Sequence, residues 1–360
     1  MKLLLGCCLI HLCIGSIYSI SVLYPQFSQL TGWNTSTLVY GFSISILALG
    51  FSASFHQKIF SKISKTNVLI GAIVCWTFSQ LSILGVIKNS LNEIFYFLSC
   101  GILGIGIGLL YVITINIVSK YGFKYNGLAN GVVIFYFGFG SFLSSKLFFE
   151  IPLIQLYGIY TLLMLFGVYL INTKDTIESP QTFQRDKTWY MLSIMFLTNI
   201  GIGISLLSNL ANLSTNRGIS VNDSIIIVAL CGLFNSLGRL AYSFLSDYVG
   251  KLNTTLSILI LQGFSIMSIV GFNFWNVPIF LVISVYGGVF SIMPSLMKEI
   301  YGDKSSIAYS QILAMWGIAG LIFPPIFVQF GLNLLIILSC ITIIIPIIIK
   351  FKMLTSQIES

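Results

Sequence analysis

Charge is what this chain has least of. Of its 360 residues only 8% are Asp, Glu, Lys or Arg, about a third of the roughly 25% found in soluble domains. Acids are scarcest, ten against eighteen Lys and Arg, and there are two histidines and eight prolines. Such a composition excludes a soluble enzyme, a disordered scaffold and a nucleic-acid binder. The formal net charge of +8 does not point to an acidic polymer, because the basic residues are scattered over short loops without a cluster. The histidines, His11 and His56, fall on different apolar segments, and no CxxC pair or His/Cys cluster has metal-ligand spacing. No metal, no cofactor and no membrane-embedded enzyme site can be assembled from them. The seven cysteines (Cys7, Cys8, Cys13, Cys75, Cys100, Cys231, Cys340) all lie within apolar stretches. They read as packing or lipid-facing residues and not as a disulfide framework.

What is present is apolar sequence, 56% of the chain, in blocks of about 20 residues, each able to cross a hydrocarbon core of roughly 30 Å. The expected fold is an all-α membrane protein with twelve transmembrane helices, at about 3–25, 37–57, 67–87, 93–118, 127–149, 154–173, 189–211, 223–246, 253–272, 277–297, 306–330 and 332–350. The N-terminal block lacks the small-residue cleavage site of a signal peptide and runs on to Pro25, so it reads as a first span. One longer polar stretch, 172–187, divides the chain. The expected organisation is an N-terminal six-helix bundle (1–173), a linker (174–188), a C-terminal six-helix bundle (189–350) and a tail (351–360).

Basic residues set the orientation. With the N-terminus inside, fourteen fall on the cytoplasmic side and three (Lys88, Lys146, Arg217) on the other; Arg239 lies within a span. Both termini, the linker and the tail are thus expected in the cytoplasm of a multi-pass protein of the plasma membrane, with an organelle membrane as the alternative. The halves repeat weakly. At an offset of 179, Gly108, Tyr111, Ala129 and Gly138 fall on Gly287, Phe290, Ala308 and Gly317. Parallel six-helix repeats belong to transporters that hold a solute between the halves.

Four stretches carry a more specific signal. They are Gly15-Ser16-Ile17-Tyr18-Ser19 through Pro25 to Gly32-Trp33; Gly104 to Tyr111 with Asn126-Gly127-Leu128-Ala129-Asn130-Gly131 and Gly138-Phe139-Gly140; Gly238-Arg239 with Asp247-Tyr248-Val249-Gly250-Lys251; and Pro294 to Gly302 with Trp316-Gly317-Ile318-Ala319-Gly320. In order and spacing the chain resembles the major facilitator superfamily, and within it the oxalate/formate antiporter and monocarboxylate transporter branch. The resemblance implies a monomeric carrier working by alternating access, whose partners are the lipid bilayer and a small organic anion. It maps Tyr18, Tyr111, Tyr286, Phe290 and Trp316 onto aromatic cavity positions, and Asp247, Gly250 and Lys251 onto a cytoplasmic loop latch.

Two departures narrow the expectation. Ser61 stands where the first half's loop should carry an Asp. Trp316 stands where oxalate carriers place a second cation, so a monocarboxylate (pyruvate, lactate or formate) suits the chain better than a dicarboxylate.

Arg239 is the strongest candidate on its own chemistry. An Arg inside a span costs at least about 2.5–3.5 kcal/mol, and its planar fork suits a carboxylate. The competing role is structural, paired with Asp247, yet eight positions are two helical turns. Asn116 and Asn235 read as bridges between helices. His11 is a candidate proton carrier or an interhelical hydrogen-bond partner. Since every acid lies at a helix end, in a loop or in a tail, the mid-span carboxylate of a proton symporter is missing, which favours exchange or facilitated diffusion. A carrier of a neutral solute and a non-transporting sensor remain open alternatives.

Overall fold

The computed structural model describes residues 1–60, 62–121, 126–172, 182–271 and 276–358. Ser61, Lys124 and residues 174–181 of the expected linker lie outside these. Among the described residues, eleven uninterrupted helical stretches are long and apolar enough to cross a membrane. One of them, Val277–Phe330, spans 54 residues and is divided by a 3-10 turn at Gly302–Lys304. Twelve membrane-length helices result: α1 (Lys2–Thr31), α2 (Thr35–Phe60), α3 (Lys65–Lys88), α4 (Glu93–Lys120), α5 (Asn126–Glu150), α6 (Leu153–Ile171), α7 (Lys187–Thr215), α8 (Val221–Val249), α9 (Lys251–Gly271), α10 (Asn276–Tyr301), α11 (Ser305–Phe330) and α12 (Leu332–Ile358).

Local chemistry sets the ends. Ser64, Asn92, Asp186 and Ser220 accept hydrogen bonds from the exposed N–H groups that open α3, α4, α7 and α8. The first helix is longer than the sequence suggests. Pro25 does not end it, because it occupies the first turn of the terminal segment Tyr24–Thr31, where a missing N–H is harmless. Gly32, at φ +75°, then closes the helix in the left-handed conformation. Between Lys2–Ile14 and that segment, Gly15–Leu23 winds as a tighter 3-10 helix. Ser16 and Ser19 donate to the carbonyls of Cys13 and Ser16, three residues back, and so compete with the α-helical ladder.

Within the first half, α4 packs on α2 and α3, and α1 packs on α5 and α6; within the second, α10 packs on α8 and α9, and α12 on α7 and α9. The halves meet chiefly through two pairs, α2 on α11 and α5 on α8, with the 3-10 segment of α1 against α7. Glycine makes both pairs close. A Cβ on Gly138 of α5 would overlap Ser236 of α8, and one on Gly317 of α11 would meet the Leu47 carbonyl of α2. These two glycines are partners in the 179-residue repeat, so the repeat places equivalent small residues at equivalent crossings.

Candidate functional site

The interface between the halves encloses a buried aromatic cluster at mid-span. Tyr18 comes from the 3-10 stretch of α1, Tyr111 from α4, Phe137 from α5, Tyr286 and Phe290 from α10, and Trp316 from α11; none is more than 1% exposed. Trp316 is the hub. Its ring centroid lies 4.8 Å from Phe290, 5.3 Å from Tyr111, 6.1 Å from Phe137 and 6.4 Å from Tyr18, all edge to face. Tyr111 and Phe290, related by the internal repeat, thus flank the same indole from opposite halves. The Tyr18 and Tyr286 hydroxyls share a short hydrogen bond that joins α1 to α10. All five aromatic positions singled out in the sequence fall together here. Phe137 joins them unannounced, since nothing in GVVIFYFGFG distinguishes it among 29 phenylalanines.

Arg239 projects from α8 into this cluster and is fully buried. Its guanidinium lies 5.4 Å from the ring centres of both Phe137 and Phe290. Nε donates to Asn235 Oδ1 at 3.3 Å, one turn back, and Nη1 donates to the Ile134 carbonyl of α5 at 3.0 Å. Nη2 has no hydrogen-bond partner. Neither does Asn235 Nδ2, the Tyr111 hydroxyl or Trp316 Nε1, so buried hydrogen-bond donors gather around one cation. Among the described residues no carboxylate pairs with Arg239. Asp247 is paired instead with Lys251 across the α8–α9 corner, and Lys251 also donates to Ser246 Oγ at 3.2 Å. Gly250, at φ +93°, forms that corner. Asn235 serves Arg239 directly, a closer tie to the cation than its sequence reading as a helix bridge.

His11 borders the cluster, its ring 5.0 Å from Tyr111 and 6.1 Å from Phe137. Its Nε2 lies 2.7 Å from Thr114 Oγ1. The Thr114 hydroxyl donates to the carbonyls of Leu110 and Tyr111, so His11 Nε2–H donates to Thr114 and Nδ1 carries a lone pair without a partner. A second polar chain lies toward the lysine-bearing end of the interface. Asn116 of α4 donates from Nδ2 to His56 Nε2 of α2 at 2.9 Å and accepts from Ser306 Oγ of α11 at 3.1 Å. Asn116 therefore bridges helices as its residue type suggests, and the bridge crosses between the halves.

No protein-family model matches the chain. It is 23% identical over 333 residues to the "Uncharacterized MFS-type transporter YhjX" of Escherichia coli (strain K12), covering 83% of this chain and 80% of that protein. It is also 23% identical over 231 residues to the oxalate:formate antiporter of Oxalobacter formigenes, 56% of this chain and about half (54%) of that antiporter. The fold superposes on the crystal structure of the major facilitator transporter FucP in its outward conformation with a TM-score of 0.71, covering 95% of this chain and 97% of that one at 14% identity. With the twelve-helix architecture and these relatives together, the chain is a multi-pass membrane protein with the major facilitator fold, distantly homologous to the oxalate:formate antiporter and to YhjX.

Proposed function

We propose that the chain carries small organic anions, monocarboxylates in particular, by rocking one six-helix half on the other and exchanging one anion for another. The observation that carries this reading is Arg239, a fully buried cation with an unpartnered Nη2 and, among the described residues, no carboxylate beside it. An arriving carboxylate supplies the missing countercharge, and the aromatic wall excludes water from the pair. Tyr18, Tyr111, Tyr286, Phe290 and Trp316 are the proposed lining. Trp316, in place of a second cation, leaves one carboxylate's worth of positive charge and so favours pyruvate, lactate or formate over oxalate.

Exchange is favoured over proton symport by the placement of the acids. Glu93, Glu150, Asp223, Asp247 and Glu299 all lie within the first or last turns of their helices, which among the described residues leaves no acid midway along a spanning helix to relay a proton. The same proposal places both termini in the cytoplasm, sets the halves at 1–173 and 189–350, uses Asp247, Gly250 and Lys251 as a loop latch, and treats the carrier as a monomer.

A second reading keeps the fold and makes the solute neutral, with Arg239 structural; its support is the Nη1 bond to Ile134, which ties the halves together. Uptake of labelled pyruvate, lactate, formate and oxalate into proteoliposomes decides between them. The expected outcome is uptake of a monocarboxylate that is accelerated by preloaded anion. Competition by the corresponding neutral amide as strong as by the acid refutes the anion reading.

A further inference from the structure

At the lysine-bearing end of the interface between the halves lies a cavity of about 100 Å³. Its walls come from both halves, from α4 and α5 on one side and α10 and α11 on the other. Its polar lining includes Asn116, Ser295, Lys298, Ser305, Ser306 and Tyr309. We propose that this cavity is a second anion site, holding one small carboxylate on its way between the basic face and Arg239. The proposal rests on the transport reading above and adds to it a separate binding station with its own residues.

Three observations carry it. The first is charge: Lys298 lines the cavity and, among the described residues, no acid does. An exposed ammonium at a mouth with low-dielectric walls concentrates anions from solution. The second is polar lining: five serines (Ser119, Ser291, Ser295, Ser305 and Ser306) and the lysine surround a volume suited to a few non-hydrogen atoms, and carboxylate oxygens, which are acceptors only, can take hydrogen bonds from the ammonium and from a hydroxyl that turns toward them. The third is Tyr309. Only 4% exposed, it lines the cavity from α11, and its hydroxyl is buried without a hydrogen-bond partner. Its side chain also lies beside that of Tyr111 in the central cluster, so Tyr309 borders both the cavity and the cluster that holds Arg239.

Occupancy is coupled to opening through Ser306. Its hydroxyl now donates to Asn116 Oδ1 across the halves. A carboxylate that takes this hydrogen bond together with Lys298 releases the cross-link, and Tyr309 can then follow α11 aside. Anion arrival at the basic end thereby loosens the contact that closes that end.

The experiment reads binding and transport separately, in full-length protein reconstituted in sealed vesicles of either orientation. Binding is read as alkylation of a Ser295→Cys variant by a small maleimide, quantified at that position by mass spectrometry. Millimolar pyruvate or formate is expected to slow alkylation, and pyruvamide or formamide at equal concentration to leave it unchanged. Equal rates with and without the anions overturn the site, whichever way transport turns out. Protection without any anion uptake keeps the site and removes the transport reading.

Transport is then compared for Lys298→Gln and Lys298→Arg. The half-saturating anion concentration at the lysine-bearing face is expected to rise roughly two- to fivefold in Lys298→Gln, the scale of one partly solvated charge pair. It should stay unchanged at the opposite face, return in Lys298→Arg, and lose its Lys298 dependence in high salt. A shift of equal size at both faces overturns the assignment of this cavity as a station on one side.

Discussion

Arg239 on α8 donates a hydrogen bond from Nη1 to the Ile134 carbonyl on α5, so the buried cation of the second half is anchored on the backbone of the first. The carbonyl satisfies one nitrogen but carries no charge. Removing an Arg from water without a counterion is costly, and the remaining nitrogen, Nη2, has nothing to bond. A carboxylate that enters the cluster offsets that cost, while a neutral solute does not. Arg239→Ala should therefore remove about 1.5–3 kcal/mol of anion binding, roughly ten- to a hundredfold in affinity. Arg239→Lys keeps the charge without the planar fork and should retain weak exchange. Wild-type exchange of the same anion by a normally inserted Arg239→Ala carrier assigns this residue to structure alone.

The Tyr18–Tyr286 hydrogen bond is the central tie between α1 and α10. Replacing one tyrosine by phenylalanine leaves the other hydroxyl buried without a partner, at about 1–3 kcal/mol. Replacing both removes the whole bond and leaves the rings to pack. Thermal unfolding in detergent should rank Tyr18→Phe and Tyr286→Phe each below the double variant. Strictly additive losses show that the two hydroxyls are not coupled.

Most of the fold was legible because the bilayer imposes a single rule, about 20 apolar residues per crossing. The repeat was legible too, since Gly138 and Gly317 recur where close crossings require them. The end of α1 was not, because a proline reads as a stop until its place in a first turn is known. Arg239 stood out as an intramembrane charge, and five aromatics came through family resemblance. Phe137 and Tyr309 had no such signal, because apolar and aromatic residues on a membrane helix look alike whether they face lipid or the partner half. His56 had a signal, a polar residue near a helix end, but its bond to Asn116 depends on α2 lying against α4, which no local pattern encodes.

The proposed rocking of the halves calls for α2 and α11 to close on one another without side chains between them. A Cβ on Gly50 would overlap the Gly317 backbone and the Leu313 carbonyl, neither of which can turn aside. Gly50→Ala should therefore wedge the halves apart and abolish exchange while leaving insertion intact. Gly71→Ala is the matched control, because a Cβ there meets nothing within 4 Å. Exchange at wild-type rate in Gly50→Ala shows that this crossing does not close during transport.

His11 is the remaining candidate for proton coupling, and its surroundings argue for a structural role. Its Nε2–H is committed to Thr114, whose own hydrogen is committed to the backbone of α4. That chain ends on carbonyls and gives a proton no onward acceptor. The guanidinium of Arg239 belongs to the same aromatic cluster, through the shared Phe137 ring, and a second positive charge there is disfavoured by repulsion. His11→Ala should thus leave anion exchange largely intact, with a modest loss of thermal stability from the orphaned Thr114 contact. His11→Gln, which can still donate to Thr114, should recover that stability. Uptake in vesicles with and without an imposed proton gradient completes the test. Gradient-driven accumulation that His11→Ala abolishes makes His11 the relay and replaces exchange with symport.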